Sequence, residues 1–461
     1  MSYENIITDE VSSRLKNPII KVLRDIKIDK ILKKSNFIKK DGAVTSTILL
    51  HFIFMIVINK RISSFIKYSK ESLTKDVYYR ALKNSKYNWQ KMLMLSTVAF
   101  INKIKPLQNK KAIKVFILDD TNEDKKGKKI EGVCDNLWSN KDKKTIRGIN
   151  MVSLNYNDGY TNFMLDFALK FNDKLKVKLE DFKNKFYYTS SSYKRKQEGL
   201  ETKFTIAINM IKRAVQVGIK ADYLLVDSWY SKPIFVKNIK ALKLDIISRI
   251  TNSPTAWQFS IRDNNKQKTL SGIYRILSKL ASLKFAKYNK IKYSYCSKIL
   301  HHKTAGIVKI VFIKTHNKLI PILSTNTKLT DEKIIEIYKK RWNIEQGYKE
   351  LREYFAFGKE ENRIYEALIA RITISFLTYN ITSYINRINH EPQTIGGLFK
   401  DLECELTNLA ISMEIFIEIL TKISHKIETT QNNKEVNMFL AQLISNLRVT
   451  VKNQLDFMCE S

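Results

Sequence analysis

The chain has 461 residues, 44% hydrophobic and 27% charged, with 81 Lys and Arg against 45 Asp and Glu and a formal net charge of +36. Such length and apolar content suit a folded protein of about two to four domains and argue against a disordered chain. The charge excess favours a phosphate-rich partner, nucleic acid or an anionic membrane surface. Lys greatly outnumbers Arg, and Ile and Asn are abundant, so about one third of the excess is assigned to compositional bias.

Residues 1–105 have apolar positions at helical spacing and little Gly or Pro, which predicts a helical region. Its most apolar run, Thr47–Ile58, is short of the about 20 residues that a bilayer span needs, so it predicts a buried helix. The polar start of the chain shows no signal peptide. Tyr78, Tyr79, Arg80, Tyr87 and Trp89 interleave aromatic and basic groups. That pattern fits helix packing and DNA-end binding equally well.

From residue 111 the period becomes strand-like. Lys114–Asp120, Gly148–Tyr156 and Tyr160–Lys170 predict three strands, with a turn at Asn157-Asp158-Gly159. A helix over 200–217, a strand over 222–227, a helix over 233–242 and a strand over 244–250 follow. Three meandering strands and then helix, strand, helix, strand is the order of a ribonuclease-H-like α/β core. Residues 251–327 contain short β patterns at 291–299, 306–314 and 320–325, and predict an inserted β-rich domain. Asp331–Tyr354 predicts a return to one helix. Residues 376–461 predict a helical, peripheral C-terminal region. The expected division is 1–105 as a helical DNA-binding region, 106–250 with 328–375 as the core, 251–327 as the insertion, and 376–461.

Three acidic positions stand out against this background. Asp119 and Asp120 end the apolar run Val115–Leu118, Asp227 ends Tyr223–Val226, and Glu345 lies in the Asp331–Tyr354 helix. Carboxylates brought together by the fold can hold paired divalent cations, a known solution for phosphodiester chemistry. Strand alternation allows only one of Asp119 and Asp120 to face such ions, and Asp119 is favoured. On a continuous helix Tyr338, Arg341, Glu345 and Arg352 fall within a stripe roughly 60° wide. That stripe suits a helix lying between a metal site and a phosphate. Alone, it reads first as an ordinary surface helix with an Arg341–Glu345 ion pair, and the strand-end aspartates reverse that reading.

Other groups carry less. Cys134, Cys296, Cys404 and Cys459 show no C-x-x-C spacing, so neither a zinc site nor a disulfide framework is indicated, and free thiols suit a reducing cytoplasm. His301-His302 lacks nearby acidic residues and makes a poor metal site. The charged loops Asp124–Lys129 and Lys141–Lys144 are equally consistent with plain solvation and with a DNA channel.

Together these residues resemble a DDE transposase of the bacterial cut-and-paste insertion-sequence type, in the IS-four-like superfamily. The family signature Y-x-x-R-x-x-x-E, six residues, then K is matched by Tyr338, Arg341, Glu345 and Arg352. Val226-Asp227-Ser228-Trp229-Tyr230 and Leu118-Asp119-Asp120-Thr121 resemble the surroundings of its two aspartates, and Leu323–Asn326 also fits. The resemblance covers about residues 75–375. Its final Lys is replaced by Arg352, with Lys349 as a possible substitute. The resemblance implies catalysis by Asp119 or Asp120 with Asp227 and Glu345, on two Mg²⁺ or Mn²⁺ ions held by Asp119, Asp227 and Glu345. It implies phosphate contacts from Tyr338, Arg341, Lys349 and Arg352; Trp229 and Trp257 are candidates to stack a flipped base, although a packed core position is the favoured reading of each. The implied partners are double-stranded DNA (terminal inverted repeats and target) and a second copy in a synaptic homodimer. The implied setting is the bacterial cytoplasm, with no membrane. A ribonuclease-H-like nuclease that cuts without joining, or a non-catalytic DNA-binding descendant, would share much of this sequence.

Overall fold

The computed structural model describes residues 17–39, 41–68, 73–109, 111–125, 127, 130–139, 143–171, 189–251, 257–260, 267–280, 284–288, 291–315, 318–359, 362–389 and 393–407. The chain forms two compact units, one of Met1–Asn102, Thr189–Ser192 and Glu350–Ser461, the other of Lys103–Tyr188 and Tyr193–Lys349.

The described part of the first unit is helical. Helix Pro18–Asp25 starts on Asn17, whose side chain accepts from the Ile19 and Ile20 amides, with Pro18 in the first turn, where its missing N–H costs nothing. Helix Thr45–Val57 is buried at every position from Ser46 to Val57. No helix among the described residues is long and apolar enough to cross a membrane. Tyr78, Tyr87 and Trp89 are buried, and Phe37 stacks on Tyr87 and meets Trp89 edge-on. These three aromatics are therefore core residues, whereas Tyr79 is half-buried with Lys75 and Lys83 over its ring. Residues 376–385, expected at the periphery, belong to helix Tyr365–Ile388, which is buried from Tyr365 to Ala370 and from Ile372 to Ile385. It packs against helices Pro18–Asp25, Thr45–Val57 and Lys75–Lys83. Its polar Asn380 lies in the core and donates to Thr97 at 3.1 Å. Apolar residues on all sides of a helix signal burial, and that signal outweighs position along the chain. Residues 408–461, expected to be helical, lie outside the described residues.

The second unit is built on one sheet. Strands β1 (Val115–Asp124), β2 (Cys134–Ser139), β3 (Lys144–Asn157), β4 (Asn162–Lys170), β5 (Tyr223–Val226) and β6 (Asp245–Arg249) come first in the chain. β1 pairs antiparallel with β3, and β3 with β4. On its other side β1 pairs parallel with β5, and β5 with β6. The order β4-β3-β1-β5-β6 is that of a ribonuclease-H-like core. Val115–Leu118 and Tyr223–Val226 are buried throughout, as expected for parallel strands covered on both faces. β2, which the sequence reading did not anticipate, pairs with the first half of β3. Gly148 sits where β3 meets both β1 and β2, and a Cβ there would run into the Glu123 carbonyl.

The inserted segment carries β7 (Gln258–Ser260), β8 (Gln267–Thr269), β9 (Lys284–Tyr288), β10 (Ile291–His302), β11 (Gly306–Thr315) and β12 (Lys318–Ser324), besides helix Leu270–Leu280. β10, β11 and β12 pair antiparallel in sequence, and β12 pairs antiparallel with β6. The insertion thus extends the core sheet from its β6 edge.

Helix Lys203–Gln216 packs on β3 and β4, and helix Asp331–Lys339 on β6, β11 and β12. The single helix expected over Asp331–Tyr354 is two, Asp331–Lys339 and Trp342–Tyr354. At the joint the Lys340 and Arg341 amides bond three residues back, to Ile337 and Tyr338, the tighter pattern of a helix end. No Gly or Pro marks the break. Both joint residues are instead drawn to β1 and its approach: Lys340 Nζ donates to the Ile113 carbonyl at 2.9 Å, and Arg341 Nη1 to Asp119 Oδ2 at 3.3 Å. Tertiary contacts thus override local helix propensity here.

Candidate active site

Register brings the first two carboxylates together. Leu118 and Val226 are partners across the parallel pair β1–β5. Asp119 and Asp227 each follow one residue later, on strands about 4.8 Å apart. Asp227 is fixed by the chain beyond β5: its Oδ1 accepts from the Trp229 amide at 2.9 Å and the Tyr230 amide at 3.2 Å. Asp119 Oδ1 accepts from the Asp120 amide at 2.9 Å.

Adjacent residues on a strand point to opposite faces, and the two candidates on β1 divide accordingly. Asp120 meets Lys203, at the start of helix Lys203–Gln216, with Nζ 2.7 Å from Oδ2. Asn150 of β3 donates to the same oxygen at 3.3 Å. Asp119 meets Arg341, at the joint before helix Trp342–Tyr354. The other terminal nitrogen of Arg341, Nη2, lies 2.6 Å from Glu345 Oε1. One guanidinium therefore bridges Asp119 and Glu345. Glu345 lies in the first turn of its helix, where the helix dipole favours a negative charge.

Burial and mutual repulsion leave these acids poorly disposed to ionise without a cation. Burial, then the charge of Asp227, pushes the Asp119 carboxyl up to about 7, against the opposing pull of Arg341. Asp227 is raised too, chiefly by burial and further by the charge of Asp120, although the Tyr230 and Trp229 amides and Arg341 stabilise its charge. A divalent ion would relieve this, since hard carboxylate oxygens are what Mg²⁺ and Mn²⁺ prefer. Asp119 and Asp227 thus fit a metal ion. Glu345 is held by Arg341, and among the described residues no group of three or more His, Cys, Asp or Glu is arranged to hold one.

The remaining expected residues are scattered more widely. Tyr338 is half-buried, takes a backbone hydrogen bond from Arg249, and has its phenol raised mainly by burial. The Arg341 guanidinium lies 6.0 Å from the Tyr338 ring centroid and 5.8 Å from that of Trp342. Lys349 is exposed. Arg352 belongs to the other compact unit, with its guanidinium over the Phe357 ring. Tyr338, Arg341 and Glu345 remain neighbours although the helix is interrupted between Tyr338 and Glu345.

Of the two Trp residues considered for base stacking, Trp257 is fully buried and donates from Nε1 to the Ser231 carbonyl. Trp229, expected to be a core residue, is 46% exposed and stacks on Phe204. His302 is buried, and its Nδ1 accepts from the Thr304 and Ala305 amides. Lys126, Lys128, Lys129, Lys141 and Asp142 of the two charged loops lie outside the described residues.

Two supporting residues were not legible beforehand. The Tyr348 hydroxyl lies 2.7 Å from Ser153 Oγ and donates to the Asp119 carbonyl at 3.2 Å, tying the Glu345 helix to β1 and β3. Its place one turn beyond Glu345 was the only available signal. Lys203 had none, for nothing in the sequence connects the start of that helix with Asp120.

Comparison with known families follows the same lines. Residues 71–286 match the DDE superfamily endonuclease model, and residues 199–381 match the transposase DDE domain model. No curated protein matches the chain significantly. The two family matches overlap across the strand that ends at Asp227, and together they span all three acidic positions. With the core strand order and the Asp119–Asp227 pairing, they place the protein among enzymes that cut DNA: the chain belongs to the DDE transposases.

Proposed function

We propose that this transposase excises an insertion sequence by cutting at its terminal inverted repeats and joins the freed ends to target DNA. The proposed metal ligands are Asp119, Asp227 and Glu345, with Mg²⁺ or Mn²⁺ as the ions and a synaptic homodimer as the working form. The observation that carries this reading is the convergence of Asp119 and Asp227 just beyond the last partners of the parallel pair β1–β5, with Glu345 one guanidinium away.

Bound divalent ions supply Lewis acidity to the attacking and leaving oxygens. The chain's own residues do the positioning. The Trp229 and Tyr230 amides hold Asp227 in one orientation. Tyr348 fixes the helix that carries Glu345. Arg341 presents a planar, bidentate donor suited to a phosphodiester. It stands beside the carboxylates, where a held terminus could be passed from one reaction to the next. The Y-R-E-K type of signature, completed here by Arg352 or Lys349, supports the IS-four-like assignment.

Purified protein incubated with its own element ends and Mg²⁺ or Mn²⁺ tests the proposal. Metal-dependent nicking followed by joined products is the expected outcome. Cleavage that persists unchanged in Asp227→Asn would remove the metal assignment, and cleavage without joining would favour a nuclease.

A further inference from the structure

We infer that Arg341 is a resident cation in the metal site, and that DNA loads the metal by drawing Arg341 away. The inference rests on the proposed metal ligation by Asp119, Asp227 and Glu345 and concerns how that same site is regulated.

Arg341 contacts two of the three carboxylates at once, Asp119 at 3.3 Å and Glu345 at 2.6 Å. Oxygens sharing one Mg²⁺ each lie about 2.1 Å from it, so an ion joining Asp119 to Glu345 needs the space between them. The guanidinium fills that space. The two cations are therefore alternatives. With Arg341 seated, Glu345 is occupied by an organic cation, and the third ligand is withheld from Asp119 and Asp227.

Displacement requires another anion for Arg341. The side chain is only 14% exposed, so leaving its carboxylates for water alone would strip two close ion pairs without replacement. A phosphodiester accepts the same planar fork bidentately. Arg341 also lies at a two-residue joint and not within a helix, beside Trp342, which is 64% exposed. A DNA backbone reaching that surface meets Arg341 at the joint. Once Arg341 pairs with phosphate, Glu345 is free to complete the three-carboxylate set. Linkage then makes the effect reciprocal: DNA tightens metal binding, and metal tightens DNA binding. The consequence is a transposase that assembles its cutting site only on its substrate.

The test measures Mn²⁺ binding to the full chain, by electron paramagnetic resonance of free Mn²⁺, with and without a short duplex of unrelated sequence. Binding by the duplex alone is subtracted. Wild type without DNA should bind Mn²⁺ roughly tenfold more weakly than Arg341→Gln, and DNA should close most of that gap. Arg341→Gln should respond little to DNA. If DNA leaves the wild-type affinity unchanged, the inference is overturned, and this arm needs no variant to fold. It is equally overturned if Arg341→Gln binds no more tightly than wild type. Asp227→Asn separates the two levels of the argument. If it loses Mn²⁺ while wild type and Arg341→Gln behave alike, the metal site stands and the displacement fails. If it keeps full Mn²⁺ binding, the proposed metal site itself is wrong.

Discussion

The Lys203 ammonium lies 2.7 Å from the Asp120 carboxylate. Asp120 is thereby engaged by Lys203, whereas Asp119, its immediate neighbour, meets Arg341; the charge of Asp120 nevertheless reaches both Asp119 and Asp227. Asp119→Asn should abolish cleavage. Asp120→Asn should retain cleavage, with losses confined to the Lys203 contact. Equal loss of nicking in both variants, on end-labelled DNA, would reject this division of roles.

Arg341 is placed to serve late steps more than early ones. Arg341→Ala should impair strand transfer, and any hairpin step, more than first-strand nicking, because nicking depends mainly on the metal ions. Arg352→Lys should be mild and Arg352→Ala worse. A time course resolving nicked, hairpin and joined products measures this. Uniform slowing of every step would reduce Arg341 to an ordinary ion-pairing residue.

The net charge of +36 predicts strongly salt-dependent binding to unrelated DNA, since each neutralised phosphate releases counterions. A plot of log affinity against log salt should fall steeply. A flat plot would assign the excess charge to composition alone.

His51 makes the helical unit sensitive to acid. It is 3% exposed, with Nδ1 2.7 Å from the Tyr78 hydroxyl, and burial lowers its pKa from 6.5 to about 4. The unfolded chain takes up this proton first. The stabilisation is therefore complete above about pH 6.5 and is lost as pH falls through about 4, with a magnitude of about 3 kcal/mol. His51→Gln should flatten the dependence between those limits in urea titrations, and an unchanged slope would point to other groups.

Arg213 is clamped between Asp166, at 2.8 Å, and Glu198, at 2.6 Å, with the Asp166 side chain 1% exposed. Removing Asp166 leaves Arg213 paired with Glu198 alone and takes away the acceptor of the Phe167 amide. Asp166→Ala should cost about 1.5–3 kcal/mol, with a lower urea midpoint as the measure. A change below about 1 kcal/mol would mean that Arg213 finds water or another acceptor.

Much of the second unit was legible because its strands are short apolar runs separated by turn residues. β1, β3, β4, β5 and β6 lie within a few residues of their expected positions, and β10, β11 and β12 likewise. Asp119 and Asp227 stood out because an acid directly after a buried apolar run is exceptional. The joint at Lys340 and Arg341 was not legible, because no Gly or Pro writes it into the chain. The exposure of Trp229 and the burial of Trp257 were equally hidden, since an indole suits either a core or a surface.

The sequence by itself determined the order of strands and helices, the basic field and the three acidic positions. Each of these follows from local periodicity, turn chemistry or residue type, and none needs a distant partner. Only the tertiary structure decided which cation each aspartate of β1 meets, and that Arg341 stands between Asp119 and Glu345. Those outcomes depend on Lys203 and Arg341, which lie 83 and 222 positions from their aspartate partners. Separations of that kind leave no periodic trace in a sequence, because the contacts exist only after the sheet and its covering helices have formed.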